Sequence, residues 1–101
     1  MIEPEACRTM TDVRAGVDAL DRQIVELIGT RFRFMEAAAR IKPEREQVRD
    51  ERRKADVLAK VAAHARAHGV PATVAAELYE RLIEASIAYE LARFDALAAH
   101  S

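Results

Sequence analysis

Several residue types are scarce in this chain of 101 residues, and each scarcity excludes a class of protein. With Cys7 as its one cysteine the chain can form no internal disulfide, so we expect a protein of the reducing cytoplasm. Aromatic residues make up 5% of the sequence and β-branched residues form no runs, which argues against a β-sheet. No apolar stretch approaches the roughly 20 residues that cross a bilayer, and we therefore expect no membrane span.

The charged residues are balanced in sign. Sixteen lysines and arginines face seventeen aspartates and glutamates, for a formal net charge of −1 at pH 7. General nucleic-acid binders usually carry a clear basic excess. We therefore expect no nucleic-acid partner.

Alanine is the abundant residue, with twenty-one copies against three glycines and three prolines. Alanine loses no side-chain entropy on entering a helix, so this composition predicts an all-α fold. We interpret residues 1–10 as an N-terminal arm and residues 11–101 as a single helical domain without internal repeats.

The first helix is predicted to be long enough to need a partner. Thr11 and Asp12 supply N-cap chemistry, and the helix ends near Lys42 because Pro43 disfavours helical geometry in the residue before it. About thirty residues span roughly 45 Å, which the rest of the chain cannot cover alone, so we expect a second copy to pack there. The predicted buried stripe is Val13, Val17, Leu20, Ile24, Leu27, Ile28, Phe32, Met35 and Ala39.

Two shorter helices are predicted after the polar connector Pro43–Arg49, which either stays solvated or orders over a ligand. The second helix runs from about Asp50 to His68, with Gly69 as its C′ residue. The third opens at Pro71, where the missing N–H is harmless. The expected buried positions are Val57, Leu58, Val61 and Ala65, then Leu78, Leu82, Ile83, Ile87, Leu91, Phe94 and Leu97.

Three cations of the first helix region suggest an anion site. Arg31 and Lys42 point within about 20° of one another and lie about 16 Å apart, so their extended side chains can close around a small dicarboxylate. Arg14 lies roughly 25 Å from Arg31 and reaches that molecule only from the other chain of an antiparallel dimer. The alternative is that all three are ordinary solvated cations.

An ordered set of residues runs through the whole chain. On the first helix it reads Arg14-x-x-x-Asp18-x-x-Asp21-x-x-Ile24-x-x-Leu27-x-x-x-Arg31. Lys42 follows, then Val48-Arg49-Asp50-x-x-Arg53 and Ser86-x-x-x-Glu90. This set resembles the all-helical class of chorismate mutases. In length and register, including the start Pro4-Glu5-x-Cys7, the chain is also similar to the isochorismate-pyruvate lyase branch of that fold.

The resemblance implies an intertwined homodimer with two equivalent sites, no cofactor and no metal. Chorismate would rearrange to prephenate in one pericyclic step, which needs positioning and electrostatics rather than a nucleophile. Lys42 would donate to the ether oxygen as its C–O bond breaks. The other implied roles are carboxylate binding by Arg31 and by Arg14 of the partner subunit, positive charge from Arg53, orientation of the ring hydroxyl by Asp50, and a carboxylate contact from Ser86.

Two residues depart from the family pattern. Lys54 stands where many mutases carry glutamate, and Glu90 stands where many carry glutamine. A glutamate donates to the ether oxygen only when protonated, so we expect activity to fall as pH rises and Glu90→Gln to flatten the profile. The alternative is an ionised Glu90 paired to a nearby arginine.

Other functions stay open at this point. The lyase branch would release pyruvate from isochorismate and leave salicylate, using the same cations. A non-catalytic helical dimer that binds an acidic metabolite or a partner helix is the third alternative. His64 and His68 are four residues apart and could share a metal, but they also suit the negative end of the helix dipole.

Overall fold

The computed structural model describes residues 2–100, and within this range it contains helices and no strand. The predicted all-α class is therefore confirmed. Three α-helices follow one another: α1 is Met10–Ile41, α2 is Glu51–Ala67 and α3 is Ala72–Ala99. Short 3-10 turns lie at Pro4–Ala6 and Arg45–Gln47. The chain divides into two compact units, one ending at Arg33 and the other beginning at Phe34.

The cap of α1 lies two residues earlier than predicted, at Thr9 rather than Thr11. Thr9 accepts the N–H of Asp12 on its hydroxyl oxygen at 3.1 Å, and the Asp12 carboxylate accepts the N–H of Arg8 at 3.1 Å. Thr9 is therefore the capping residue, while Thr11 and Asp12 lie inside the first turn. The prediction of Thr11 as a cap was wrong because the Thr9 hydroxyl accepts the N–H of Asp12 instead, while Asp12 contributes through its bond to the N–H of Arg8.

The apolar stripe of α1 is largely uncovered in the first unit. Val17 is 48% exposed, Leu20 44%, Ile24 52% and Leu27 69%. Soluble chains seldom leave such a contiguous apolar face in water. The sequence pattern located this face correctly, but the described single chain does not bury it.

The ends of α2 match the predicted signals closely. Asp50 is the N-cap, and its carboxylate accepts the N–H of Arg53 at 3.0 Å. At the other end Gly69 has a φ of 71°, and the N–H of Val70 donates to the carbonyl of Ala65 at 2.9 Å. This is the bonding of a Schellman motif, which confirms Gly69 as the C′ residue. Pro71 then precedes the first residue of α3.

The core of the second unit is small and partly polar. Ala39, Val48, Ala65, Ala75 and Ile83 are buried, together with the side chains Ser86 and Glu90. Most other predicted core positions of α2 and α3 are half-buried. Leu78 is 65% exposed and Leu97 is 41% exposed. The prediction that these two leucines are buried was therefore wrong for the single chain.

The connector Pro43–Arg49 is more ordered than its polar composition indicated. Its 3-10 turn carries a capping box between Glu44 and Gln47. Val48 is 4% exposed and anchors the segment in the core. No helix within residues 2–100 is both long and apolar enough to cross a membrane.

Candidate functional site

A buried ion pair joins two of the predicted site residues. Lys42 is the residue after α1, where its N–H donates to the carbonyl of Ala38 at 2.9 Å. Its Nζ donates to Oε2 of Glu90 on α3 at 2.8 Å. The Glu90 side chain is only 5% exposed and that of Lys42 is 30% exposed. A buried carboxylate requires such a partner. The partner of Glu90 in this fold is a lysine and not the arginine of the alternative given above.

Ser86 lies one turn before Glu90 on α3 and is equally buried. Its hydroxyl donates to the backbone carbonyl of Leu82 at 2.7 Å. For Ser86 to donate to a substrate carboxylate, this hydroxyl would have to turn away from Leu82.

A groove of about 530 Å³ lies beside Lys42. This volume is in the range of small-molecule sites. Lys42 and Asp50, both predicted to contact substrate, line the same groove. Arg49 adds a second cation there, although the sequence pattern gave it no role. The full lining is Ile41, Lys42, Pro43, Gln47, Arg49, Asp50 and Glu51.

Arg53 is turned along the surface of α2. Its Nη1 donates to Oδ2 of Asp56 at 2.6 Å, and its side chain is 62% exposed. Lys60 also donates to Asp56, and these two bonds, with Lys60 contributing most, lower the pKa of Asp56. The backbone of Arg53 is tied to Asp50 through the N-cap, so both predicted residues sit at the first turn of α2.

Arg14 and Arg31 lie on α1 within the first unit. Arg14 is exposed and Arg31 is half-buried. Their separation along the helix, roughly 25 Å, is too large for one small molecule to touch both. Convergence of these two arginines therefore requires a second chain.

Lys54, the first departure from the family pattern, is bound to two carboxylates of α3. Its Nζ lies 2.7 Å from Glu80 and 2.9 Å from Glu84, and its side chain is 16% exposed. These hydrogen bonds raise the pKa of Lys54. Bonds from Arg49 and then Lys54 lower the pKa of Glu84 to about 2. Sequence reasoning missed this cross-helix role, although Glu80 and Glu84 at a spacing of four residues mark one face of α3.

Two arginines of the connector form two-point contacts with α3. Arg45 donates from Nε and Nη2 to the two carboxylate oxygens of Asp95 at 2.9 and 3.2 Å. Arg49 donates from Nη2 and Nη1 to the two oxygens of Glu84 at 2.7 and 3.2 Å, and also to Glu51 at 2.9 Å. The bond from Arg45 lowers the pKa of Asp95. The sequence pattern did not identify either contact.

Glu36 forms a third polar contact that the sequence did not indicate. The hydroxyl of Tyr89 donates to its carboxylate at 2.5 Å, and Arg93 lies 3.9 Å from the same oxygen. The bond to Glu36 raises the pKa of Tyr89. Tyr89 precedes Glu90 on α3, so this contact links α1 to α3 beside the buried pair.

Among residues 2–100 no group of three histidine, cysteine, aspartate or glutamate side chains is placed to hold a metal ion. His64 lies in the last turn of α2, and His68 is its C-cap. The positively ionisable ring of His64 thus lies at the negative end of the helix dipole.

Comparison with known proteins gives two matches. The family model for chorismate mutase type II matches residues 13–91. The isochorismate pyruvate lyase of Pseudomonas aeruginosa is 30% identical to this chain over 91 residues, which cover 90% of each protein.

Proposed function

Since this chain belongs to the chorismate mutase type II family, we propose that it catalyses the rearrangement of chorismate to prephenate. The observation that carries this proposal is the contact between Lys42 and Glu90 at 2.8 Å. It holds the ammonium group of Lys42, a residue that lines a groove whose size suits a small ring compound. An ammonium group in that position supplies what the reaction needs, because negative charge grows on the ether oxygen as its C–O bond breaks.

The rearrangement requires the protein to position the substrate and needs no covalent bond to the enzyme. One C–O bond breaks while one C–C bond forms within the same molecule, so no proton, nucleophile or cofactor has to enter. Arginine forks hold carboxylates in two-point geometry, whereas lysine acts as a point charge. In our proposal Arg31 and Arg14 of the partner subunit bind the two carboxylates, and Lys42 meets the ether oxygen. Asp50, Arg53 and Ser86 complete the contacts to the ring and its side chain.

Glu90 has two roles in this proposal. In the free protein its carboxylate accepts from Lys42 and so holds the ammonium group of a residue that lines the groove. When protonated, Glu90 can also donate a hydrogen bond to the ether oxygen of the bound substrate.

A homodimer completes the proposed site. The uncovered apolar face of α1, where Val17 and Ile24 are about half exposed, supports the proposal of a homodimer. The distance between Arg14 and Arg31 supports it as well, since one chain cannot bring both to a single ligand.

A second candidate function is the cleavage of isochorismate to salicylate and pyruvate. The observation that favours it is the 30% identity to a protein named isochorismate pyruvate lyase. Chorismate and isochorismate are both dianions, so the same cations serve both reactions.

The test is to add chorismate and isochorismate in separate assays, to follow loss of the diene absorbance and to identify the product. Prephenate supports the first function, salicylate the second, and no product from either rejects both in favour of a non-catalytic dimer. Lys42→Met should lower kcat by about 10² to 10³, as loss of one preorganised donor commonly does. Lys60→Met makes the same exchange at an exposed lysine of α2 and should leave kcat unchanged.

A further inference from the structure

The connector Pro43–Arg49 follows directly after Lys42, and it is fastened to α3 at two points. Arg45 donates two hydrogen bonds to the carboxylate of Asp95, and Arg49 donates two to the carboxylate of Glu84. Between them Val48 is buried with 4% exposure. Glu84 and Asp95 are eleven residues apart, which puts them within about 20° around α3 and about 16 Å apart along it. The connector therefore runs along one side of this helix.

The two fastened carboxylates flank Glu90 in sequence. Glu84 precedes it by six residues and Asp95 follows it by five, on the same helix. The chain segment that carries Lys42 is thus held to the helix that carries its partner, on both sides of that partner. The internal bonds of the connector add stiffness, since the N–H groups of Gln47 and Val48 donate to the carbonyls of Glu44 and Arg45 at 3.1 Å.

These ion pairs contribute little to stability by themselves. The side chains of Arg45 and Asp95 are 55% and 51% exposed, and those of Arg49 and Glu84 are 46% and 34% exposed. Exposed pairs are screened by water and salt. Two-point arginine contacts do, however, fix geometry. The larger effect of these contacts is therefore expected in the placement of Lys42.

We propose that Asp95 and Glu84 are positioning residues, which hold the connector on α3 and thereby keep the Lys42 ammonium at Glu90. This inference rests on the proposed function, in which Lys42 stabilises the reacting oxygen. Small misplacements of a catalytic group are costly, since about 1 Å can cost 10²-fold in rate.

The first measurement concerns the connector alone and needs no substrate. Asp95→Asn and Glu84→Gln should each speed hydrogen exchange at the amides of Gln47 and Val48, and high salt should do the same in the unaltered protein. Glu26→Gln is the matched control, because it makes the same exchange in an exposed pair with Arg22 within α1. Unchanged exchange in both connector variants would overturn the proposal, whatever the enzyme's activity.

The second measurement tests the effect on Lys42. Asp95→Asn should lower kcat about tenfold or more with little change in KM, and the swapped pair Arg45→Asp with Asp95→Arg should restore most of it. In a Lys42→Met background, Asp95→Asn should lower kcat no further, because the Arg45–Asp95 contact acts through the Lys42 ammonium, which that background lacks. An equal loss in both backgrounds would assign the pair a purely structural role and reject the proposal.

The two measurements separate this inference from the proposed function. If the unaltered protein converts neither chorismate nor isochorismate, the proposed function is rejected. The predicted effect of Asp95→Asn on kcat is then rejected with it. The hydrogen-exchange measurement still decides whether the Arg45–Asp95 and Arg49–Glu84 contacts hold the connector on α3. If Glu84→Gln does not fold because Lys54 loses a partner, Asp95→Asn carries both measurements, since Asp95 bonds to Arg45 and not to Lys54.

Discussion

Glu90 is a carboxylate that the fold buries. A carboxylate with 5% exposure is stable in the core because Lys42, 48 positions away, donates to it. The same pairing leaves the carboxylate unable to donate while it is ionised. A Glu90 that donates to the ether oxygen must therefore carry a proton.

We predict that the kcat of Glu90→Gln depends less on pH than the kcat of the unaltered protein. A glutamine amide donates to the ether oxygen at every pH, whereas a glutamate does so only when protonated. A pH–rate profile of both proteins checks the prediction. A flat profile in the unaltered enzyme would show that Glu90 acts only by holding Lys42.

At the scale of elements, Asp50 combines an observed helix cap with a proposed contact to substrate. Its carboxylate caps α2 through the N–H of Arg53, and it also lines the groove beside Lys42. Asp50→Ala should cost about 1 kcal/mol of unfolding free energy, as loss of an N-cap commonly does, and Asp50→Ser should restore most of it. Urea unfolding of the three proteins tests the cap.

The substrate role of Asp50 is tested with the same variants. Asp50→Ser keeps the cap but removes the carboxylate that we expect to orient the ring hydroxyl. Its KM for chorismate should rise while its stability stays near that of the unaltered protein. An unchanged KM would limit Asp50 to capping.

The contact of Glu84 with Arg49 and Lys54 should make the packing of the connector and α2 on α3 sensitive to acid. The pKa of Glu84 is lowered from 4.5 to about 2, chiefly by the hydrogen bond from Arg49 and next by that from Lys54. A depressed pKa stabilises the fold fully above the unfolded value and loses this contribution as pH falls toward the folded value.

The stability difference between the unaltered protein and Glu84→Gln should therefore be largest above about pH 4.5 and should disappear as the pH approaches about 2. Urea unfolding of both proteins across this range measures it. A difference that does not change with pH would mean that the carboxylate charge of Glu84 is not what joins the elements.

At the scale of the whole molecule, the proposed site depends on two chains. We predict that Arg14→Ala and Lys42→Ala are each nearly inactive, and that a mixture refolded from equal amounts of both regains about a quarter of the normal activity. Half of the mixed dimers pair one variant with the other, and in those one of two sites combines an intact Arg14 with an intact Lys42. No recovery would mean that Arg14 serves its own chain or none.

The dimer itself is tested by placing a charge on the uncovered face of α1. Leu20 is 44% exposed in the single chain, and we expect the second copy to bury it. Leu20→Asp should shift the protein toward monomer in sedimentation measurements and reduce activity in proportion, because a buried unpaired charge is costly. Arg22→Asp changes a side chain with 79% exposure nearby and serves as the control.

The sequence by itself determined the three helices and most of their ends, because helical periodicity, the Asp50 cap and the Gly69 C′ position are local properties of the chain. It also located the apolar face of α1, since that pattern needs no knowledge of what covers it. Only the tertiary structure decided which charged groups meet. Lys54 binds α3, Arg45 and Arg49 fasten the connector, and Glu90 meets Lys42 because these partners are 26 to 50 positions apart and come together only when the helices pack.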